Sequence, residues 1–259
     1  MNSVPLPHAG PHPSSAAHKA VAAMFFCNGA GFASWVSRIP AVRDGIGLSE
    51  GELGTALFAL AAGALLAFRL SAWGADILGT RTQLLLAAAL YFFVLPQPAV
   101  VGSQISLALT LFVFGTANGA MDVSMNALGV EVERRAGRSV MSSLHGMWSA
   151  GGLAGAAVGS VAAHLGVRPG LHLAAVAVVL ATVVFVARRA LPEVTARSSP
   201  EAPARGRPDA SLLALGAMAL CAFLVEGAMA DWSGVLLRDA LGTSEAVAAW
   251  GYAAFSVAM

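Results

Sequence analysis

A carboxylate stands inside an apolar stretch. In GTANGAMDVSMNALGVEVERRAGR, residues 115–138, Asp122 has Asn118 four residues before it and Asn126 four residues after it. An ionised group at the centre of a bilayer costs at least ~2.5–3.5 kcal/mol on insertion scales, and it normally faces a protein interior or a water-filled cavity. At 3.6 residues per turn the three side chains share one helix face, within about 80° of arc. Such a stripe can exchange a proton or hydrogen-bond a solute. It can equally do no more than join helices or partner His145. His145 and Trp148 lie at i and i+3. An imidazole titrates near neutral pH, and an indole can stack on a sugar ring; the plain alternative is a satisfied interhelical histidine and a packing tryptophan. Glu226 is a second candidate acid, near the outer third of its apolar run. Asn28, beside Gly29 and Gly31, is the corresponding polar site in the first run. Asp231 reads as solvated near a run's end, and the charged run Glu131 to Arg138 reads as a solvated loop.

The elements that must position these groups are membrane helices. The 259 residues are 57% hydrophobic and 11% charged, where a soluble domain carries about 25% charged residues. The expected class is an all-α polytopic membrane protein. Net charge is +1, so nothing points to nucleic acid. Cys27 and Cys221 both lie in apolar runs and suit neither a metal site nor a disulfide framework. No cofactor or metal is expected. The buried polar groups show no nucleophile-and-base spacing, so no enzyme is expected either.

A membrane helix needs about 20 mostly apolar residues. Seven complete runs lie near 20–39, 52–73, 82–101, 104–130, 139–163, 170–187 and 211–231, and part of an eighth starts near 246. Pro96 and Pro98 should end or kink the third. Residues 1–19, rich in Pro and His, read as a disordered cytoplasmic N-terminus. Residues 188–210, rich in Pro, Ser and Arg, read as a cytoplasmic linker. With the N-terminus inside, 11 Lys and Arg fall on the cytoplasmic side and 4 outside, as the positive-inside rule requires. The expected location is the inner (plasma) membrane, multi-pass.

One segment recurs. RDGIGLSE (43–50) and RDALGTSE (238–245) agree at five of eight positions with an offset of 195 residues. Each copy follows one membrane helix and precedes another, and six helices separate them. The two copies therefore face the same side, as in a parallel repeat.

The loop AWGADILGTR (72–81) resembles the signature loop of the major facilitator superfamily, in which Gly, three residues, Asp, two residues and Gly precede a basic residue. Asp76, Gly79 and Arg81 match it, whereas Ala72 stands at the first Gly and Thr80 at the first basic position. Gly79 would permit the tight turn, and Asp76 and Arg81 could lock helix ends together as a cytoplasmic gating loop. Two departures weaken a drug-exporter reading. In GLAGAAVGS (152–160) Ala156 and Ser160 replace a Pro and a Gly, which leaves Gly151, Gly155 and Gly159 as a close-packing face. Leu111 replaces an Arg four residues before Gly115. DVSMNALGVEVERRAGRSVMSSLHGMWSAGG is similar to the sugar-permease-like branch, near fucose permease relatives.

The resemblance implies a six-helix N-terminal half over 20–187 and an incomplete C-terminal half over 211–259. It implies a secondary active transporter of a small polar solute such as a sugar, coupled to protons, working by alternating access in the lipid bilayer, and a monomer at full length. The substrate or proton-binding candidates are Asn28, Asn118, Asp122, Asn126, His145, Trp148 and Glu226. A drug or metabolite exporter is the alternative within the class; a non-transporting sensor or scaffold is the alternative outside it. Met259 corresponds to Ala64 by the repeat offset, so the chain is expected to be a fragment of a protein of about 390 residues, with two six-helix units at that spacing.

Overall fold

The computed structural model describes residues 15–194 and 209–258, and every regular element among them is helical. In chain order these are α1 (Ser15–Val36), α2 (Ile39–Ile46), α3 (Glu50–Leu78), α4 (Thr80–Val94), α5 (Gln104–Ala136), α6 (Met141–His164), α7 (Pro169–Ala187), α8 (Ala210–Leu241), α9 (Glu245–Ala248) and α10 (Trp250–Ala258). Short 3-10 turns follow α4 at Gln97–Ala99 and α7 at Arg188–Ala190. α1 already begins at Ser15, so helix takes in the last residues of the stretch 1–19 expected to be disordered; residues 1–14 lie outside the described residues. Of the linker expected over 188–210, residues 195–208 do so as well.

Six helical segments are long and apolar enough to cross a membrane: Ala16–Ile46, Glu50–Leu78, Thr80–Ala99, Gln104–Ala136, Pro169–Ala190 and Ala210–Leu241. α6, with five glycines, four serines and two histidines in 24 residues, is long enough but more polar. The long helices alternate in direction. One end of the bundle gathers the two copies of the repeated segment, and we call it the repeat end. The other gathers Gly79, the α5–α6 turn and residues 188–194, and we call it the linker end.

Local chemistry sets the breaks. Pro40 lies in the first turn of α2, where its missing N–H costs nothing. α4 stops at Val94, two residues before Pro96, as expected. Ser49 begins α3 with a capping box to Glu52, in which each side chain takes the other's orphan backbone N–H. α5 overruns its expected end. The charged run that reads as a loop stays helical to Ala136 because Glu131 accepts from both Arg134 and Arg135, one turn on. α8 likewise runs ten residues past the expected 231.

α1 is the central element and packs on α5, α6 and α7, while α3 packs along α5. The closest seams are made by glycine. A Cβ at Gly29 would run into the Trp148 carbonyl, and one at Gly151 or Gly155 into the carbonyls of Phe26 or Ala30. The small-residue face of α6 is thus the surface on which α1 lies. Gly63 and Gly115 do the same between α3 and α5, each against a backbone carbonyl of the other helix. In lipid, where apolar burial drives little association, this close approach supplies the dispersion contacts that hold helices together.

Candidate functional site

Asn28 is the polar centre of the bundle. Its side chain is 2% exposed. Its Nδ2 donates to Asn118 Oδ1 on α5 at 2.9 Å, and its Oδ1 accepts from Trp148 Nε1 on α6 at 2.8 Å. Its backbone carbonyl accepts from the Tyr91 hydroxyl on α4 at 3.0 Å. One asparagine therefore joins four helices, and two further sequence candidates, Asn118 and Trp148, converge on it. Gly29 permits this, since it lets α6 approach within reach of the preceding residue, Asn28. Tyr91 stacks on Phe114, with centroids 4.9 Å apart, which fixes its hydroxyl. Sequence reading missed Tyr91; a tyrosine inside an apolar run was the available signal.

The Asp122 stripe divides in two. Asn118 turns to Asn28, whereas Asn126 donates to the Asp122 backbone carbonyl and to its carboxylate, at 2.9 and 3.1 Å. Asp122 is half-buried. Asp122, His145 of α6 and Glu226 of α8 lie near enough to one another to interact electrostatically. Glu226 sits at mid-length in α8, rather than in the outer third of a shorter helix, because α8 extends to Leu241. His145 is exposed, with its ring edge-on to Phe25 at 5.4 Å.

His145, Trp148 and Glu226 line one cavity of about 640 Å³ together with Ser142, Ser149 and Ser256. α6 supplies one wall; α8 and α10 supply the other. Ser256 and the Tyr252 ring of α10, which packs edge-on to Phe32, went unremarked in the sequence because the last run is too short to read. A smaller cavity of about 370 Å³ between α1, α6 and α7 is lined almost wholly by carbon, apart from Ser34 and His172. Its lining offers little to orient a polar solute. No cluster of His, Cys, Asp and Glu that could hold a metal occurs among the described residues.

At the linker end, Gly79 takes φ 78° and closes the turn between α3 and α4, a conformation that suits glycine. Arg81 pairs with Glu193 at 2.5 Å and donates to the Arg188 carbonyl. It does not meet Asp76, which is exposed. Arg135 donates to the Glu193 carbonyl, and Glu133 accepts from the backbone N–H groups that open α6. The matching loop is thus bound to the end of α7 and the residues after it.

A residue that sequence reading passed over is Arg38, counted only as an outside charge. It is fully buried, pairs with Glu245 of α9 at 2.7 Å and donates to the Val167 carbonyl. The repeat had already marked the stretch that holds its partner.

Residues 21–259 match the family model of the Major Facilitator Superfamily. An uncharacterized MFS-type transporter of Yersinia pestis is 33% identical over 235 residues, 91% of this chain and 61% of that protein. An uncharacterized transporter of Sinorhizobium fredii is 35% identical over 242 residues, 93% of this chain and 64% of that one. Membrane protein MosC of Rhizobium meliloti is 31% identical and spans 93% and 58%. The chain thus spans about three fifths of the length of these relatives. Among solved structures, a mutant form of the nucleoside transporter NupG superposes with a TM-score of 0.68 at 15% identity, over 92% of this chain and 64% of that one. That likeness is one of fold.

Proposed function

The chain belongs to the major facilitator superfamily and is a multi-pass membrane protein, and from that premise we propose that it acts in secondary active transport of a small polar solute with proton coupling. The observation that carries this reading is the cavity of about 640 Å³ between α6 and the α8–α10 region, where a histidine, a tryptophan, a glutamate and three serines meet in otherwise apolar helices. Hydroxyls and an indole face suit a polyhydroxylated solute such as a sugar. Asp122, His145 and Glu226 form the charged group that exchanges the proton. Asn28, Asn118 and Asn126 hold that group and Trp148 in place. In this reading, residues 20–187 are one half of an alternating-access transporter, 188–210 are the linker, and 211–259 belong to the second half. The protein sits in the inner membrane as a monomer with its linker end in the cytoplasm, where Asp76, Gly79 and Arg81 take part in closure.

Asp122→Asn is the test. It removes the ionisable proton and keeps the shape. In vesicles holding the protein, a solute found by a radiolabel screen at two external pH values should no longer accumulate uphill, while solute exchange persists. Undiminished pH-driven accumulation would make Asp122 structural. If no solute moves protons, the sensor reading takes over.

A further inference from the structure

The two copies of the repeated segment bind each other. By the offset of 195, Arg43 and Asp44 correspond to Arg238 and Asp239. Arg43 pairs with Asp239, and Arg238 pairs with Asp44 at 2.9 Å. Each copy gives its arginine to the aspartate of the other, as in an isologous contact about a two-fold axis, where residue i meets j and j meets i. The copies also share their local fold. Each Arg lies in the last turn of a helix. Each chain then turns through a glycine in the left-handed region, Gly47 at φ 78° and Gly242 at φ 61°, and these two correspond by the same offset. Each ends on a serine that caps the next helix, Ser49 on the Glu52 N–H and Ser244 on the Val247 N–H.

From this reciprocity we infer that the duplicated segment is a self-recognising latch that holds the two halves together at the repeat end. Its two arms are equivalent, and they part together when that end opens. The arms are partly solvated, with side-chain exposures of 17% and 36% in one and 36% and 43% in the other. They are therefore weak enough to release: an exposed pair contributes up to ~1 kcal/mol, roughly a fivefold change in an equilibrium. The third contact at this end, Arg38–Glu245, has no twin, because Ser233 stands at the position equivalent to Arg38. Its arginine is buried whereas Glu245 is partly exposed, and the pair serves as the fixed point beside two releasable arms. The purpose of the opening rests on the transport reading above; the latch itself does not, and its test reads distance, not transport.

In a background of Cys27→Ala and Cys221→Ala, spin labels go on Gly51→Cys and Leu241→Cys, two exposed sites on either side of the contact. Distances are measured by electron spin resonance in vesicles. The parent should give one short distance. Arg43→Asp should raise the population of longer distances roughly fivefold, and adding Asp239→Arg should restore the parent distribution. Asp44→Arg with and without Arg238→Asp should repeat this pattern with the same magnitude. An unchanged distance in both single reversals, or a swap that fails to restore it, overturns the latch. If a reversal does not fold, Arg43→Gln and Asp239→Asn replace it. For a true pair the double neutral variant opens no further than either single one, and additive opening overturns the proposal.

Discussion

Among the described residues the repeat end and the linker end hold three ion pairs each and use them differently. At the repeat end the ion pairs Arg38–Glu245, Arg43–Asp239 and Arg238–Asp44 all run from the first part of the chain to α8 and α9, across more than 190 residues of sequence. At the linker end, among the described residues, Arg81, Glu131, Arg134, Arg135 and Glu193 bond within residues 81–193. α8 reflects the same division: from Ala210 to Val225 it is exposed throughout, whereas Ala230, Ser233 and Val235 are buried near the repeat end. Charge at one end ties two regions together, and at the other it stiffens one region internally.

The largest break in that contrast should come from Glu245→Ala. It leaves the Arg38 cation, 1% exposed, without its counter-ion, and an uncompensated buried charge costs about 3 kcal/mol or more. Thermal unfolding in detergent should fall markedly, and loss of contact between α9 and α1 should accompany it. A variant as stable as the parent would mean that the Val167 carbonyl and water suffice for Arg38.

Asn28→Leu comes next and probes the centre between the two ends. It leaves the Trp148 indole N–H and the Asn118 amide without partners, and two lost hydrogen bonds should together cost roughly 2 kcal/mol. Trp148 fluorescence should shift as the indole loosens. An unchanged spectrum would show that packing alone holds the ring.

Arg81→Gln tests the linker end and should do less, within about 1 kcal/mol, because the pair it breaks is partly exposed. It should leave the Gly51–Leu241 label distance unchanged. A change there would mean that the two ends are coupled and the contrast is false. The smallest expected effect is none: a cysteine at Ser198 should resist an impermeant thiol reagent added to intact cells, since the linker end is assigned to the cytoplasm. Rapid labelling would reverse the orientation.

Much of this fold is legible in sequence because apolar runs and prolines act locally. The first seven runs and the break after α4 follow from length and from Pro96. The repeat was legible too, since two identical Arg–Asp pairs need no structure to be seen. What they do to each other was not: a reciprocal contact across 195 residues depends on how two helix ends meet. The site shows the same limit. Asn28, Asn118 and Trp148 could each be named from polarity in an apolar run, yet their hydrogen bonds span 90 and 120 residues, and helix periodicity carries no information at that range. Arg38 was misjudged for a related reason. Arginine at a run's end is normally solvated, and only its distant carboxylate and carbonyl partners make burial tolerable. Glu131 to Ala136 was misread because charge alone suggests a loop, while the spacing of those charges favours helix.

The composition of α6 bears on how the protein is made. A nascent helix enters the hydrocarbon by itself when its side chains favour oil over water, and α6, rich in Gly, Ser and His, has little such preference. What favours it is the long backbone contact with α1 that its glycines allow. α1 is synthesised more than a hundred residues earlier and has to be waiting at the insertion site when α6 emerges. The expected consequence is that α6 enters lipid as half of a pair, so that in a chain lacking α1 a larger share of α6 should stay accessible at the membrane surface even though every residue of α6 is intact.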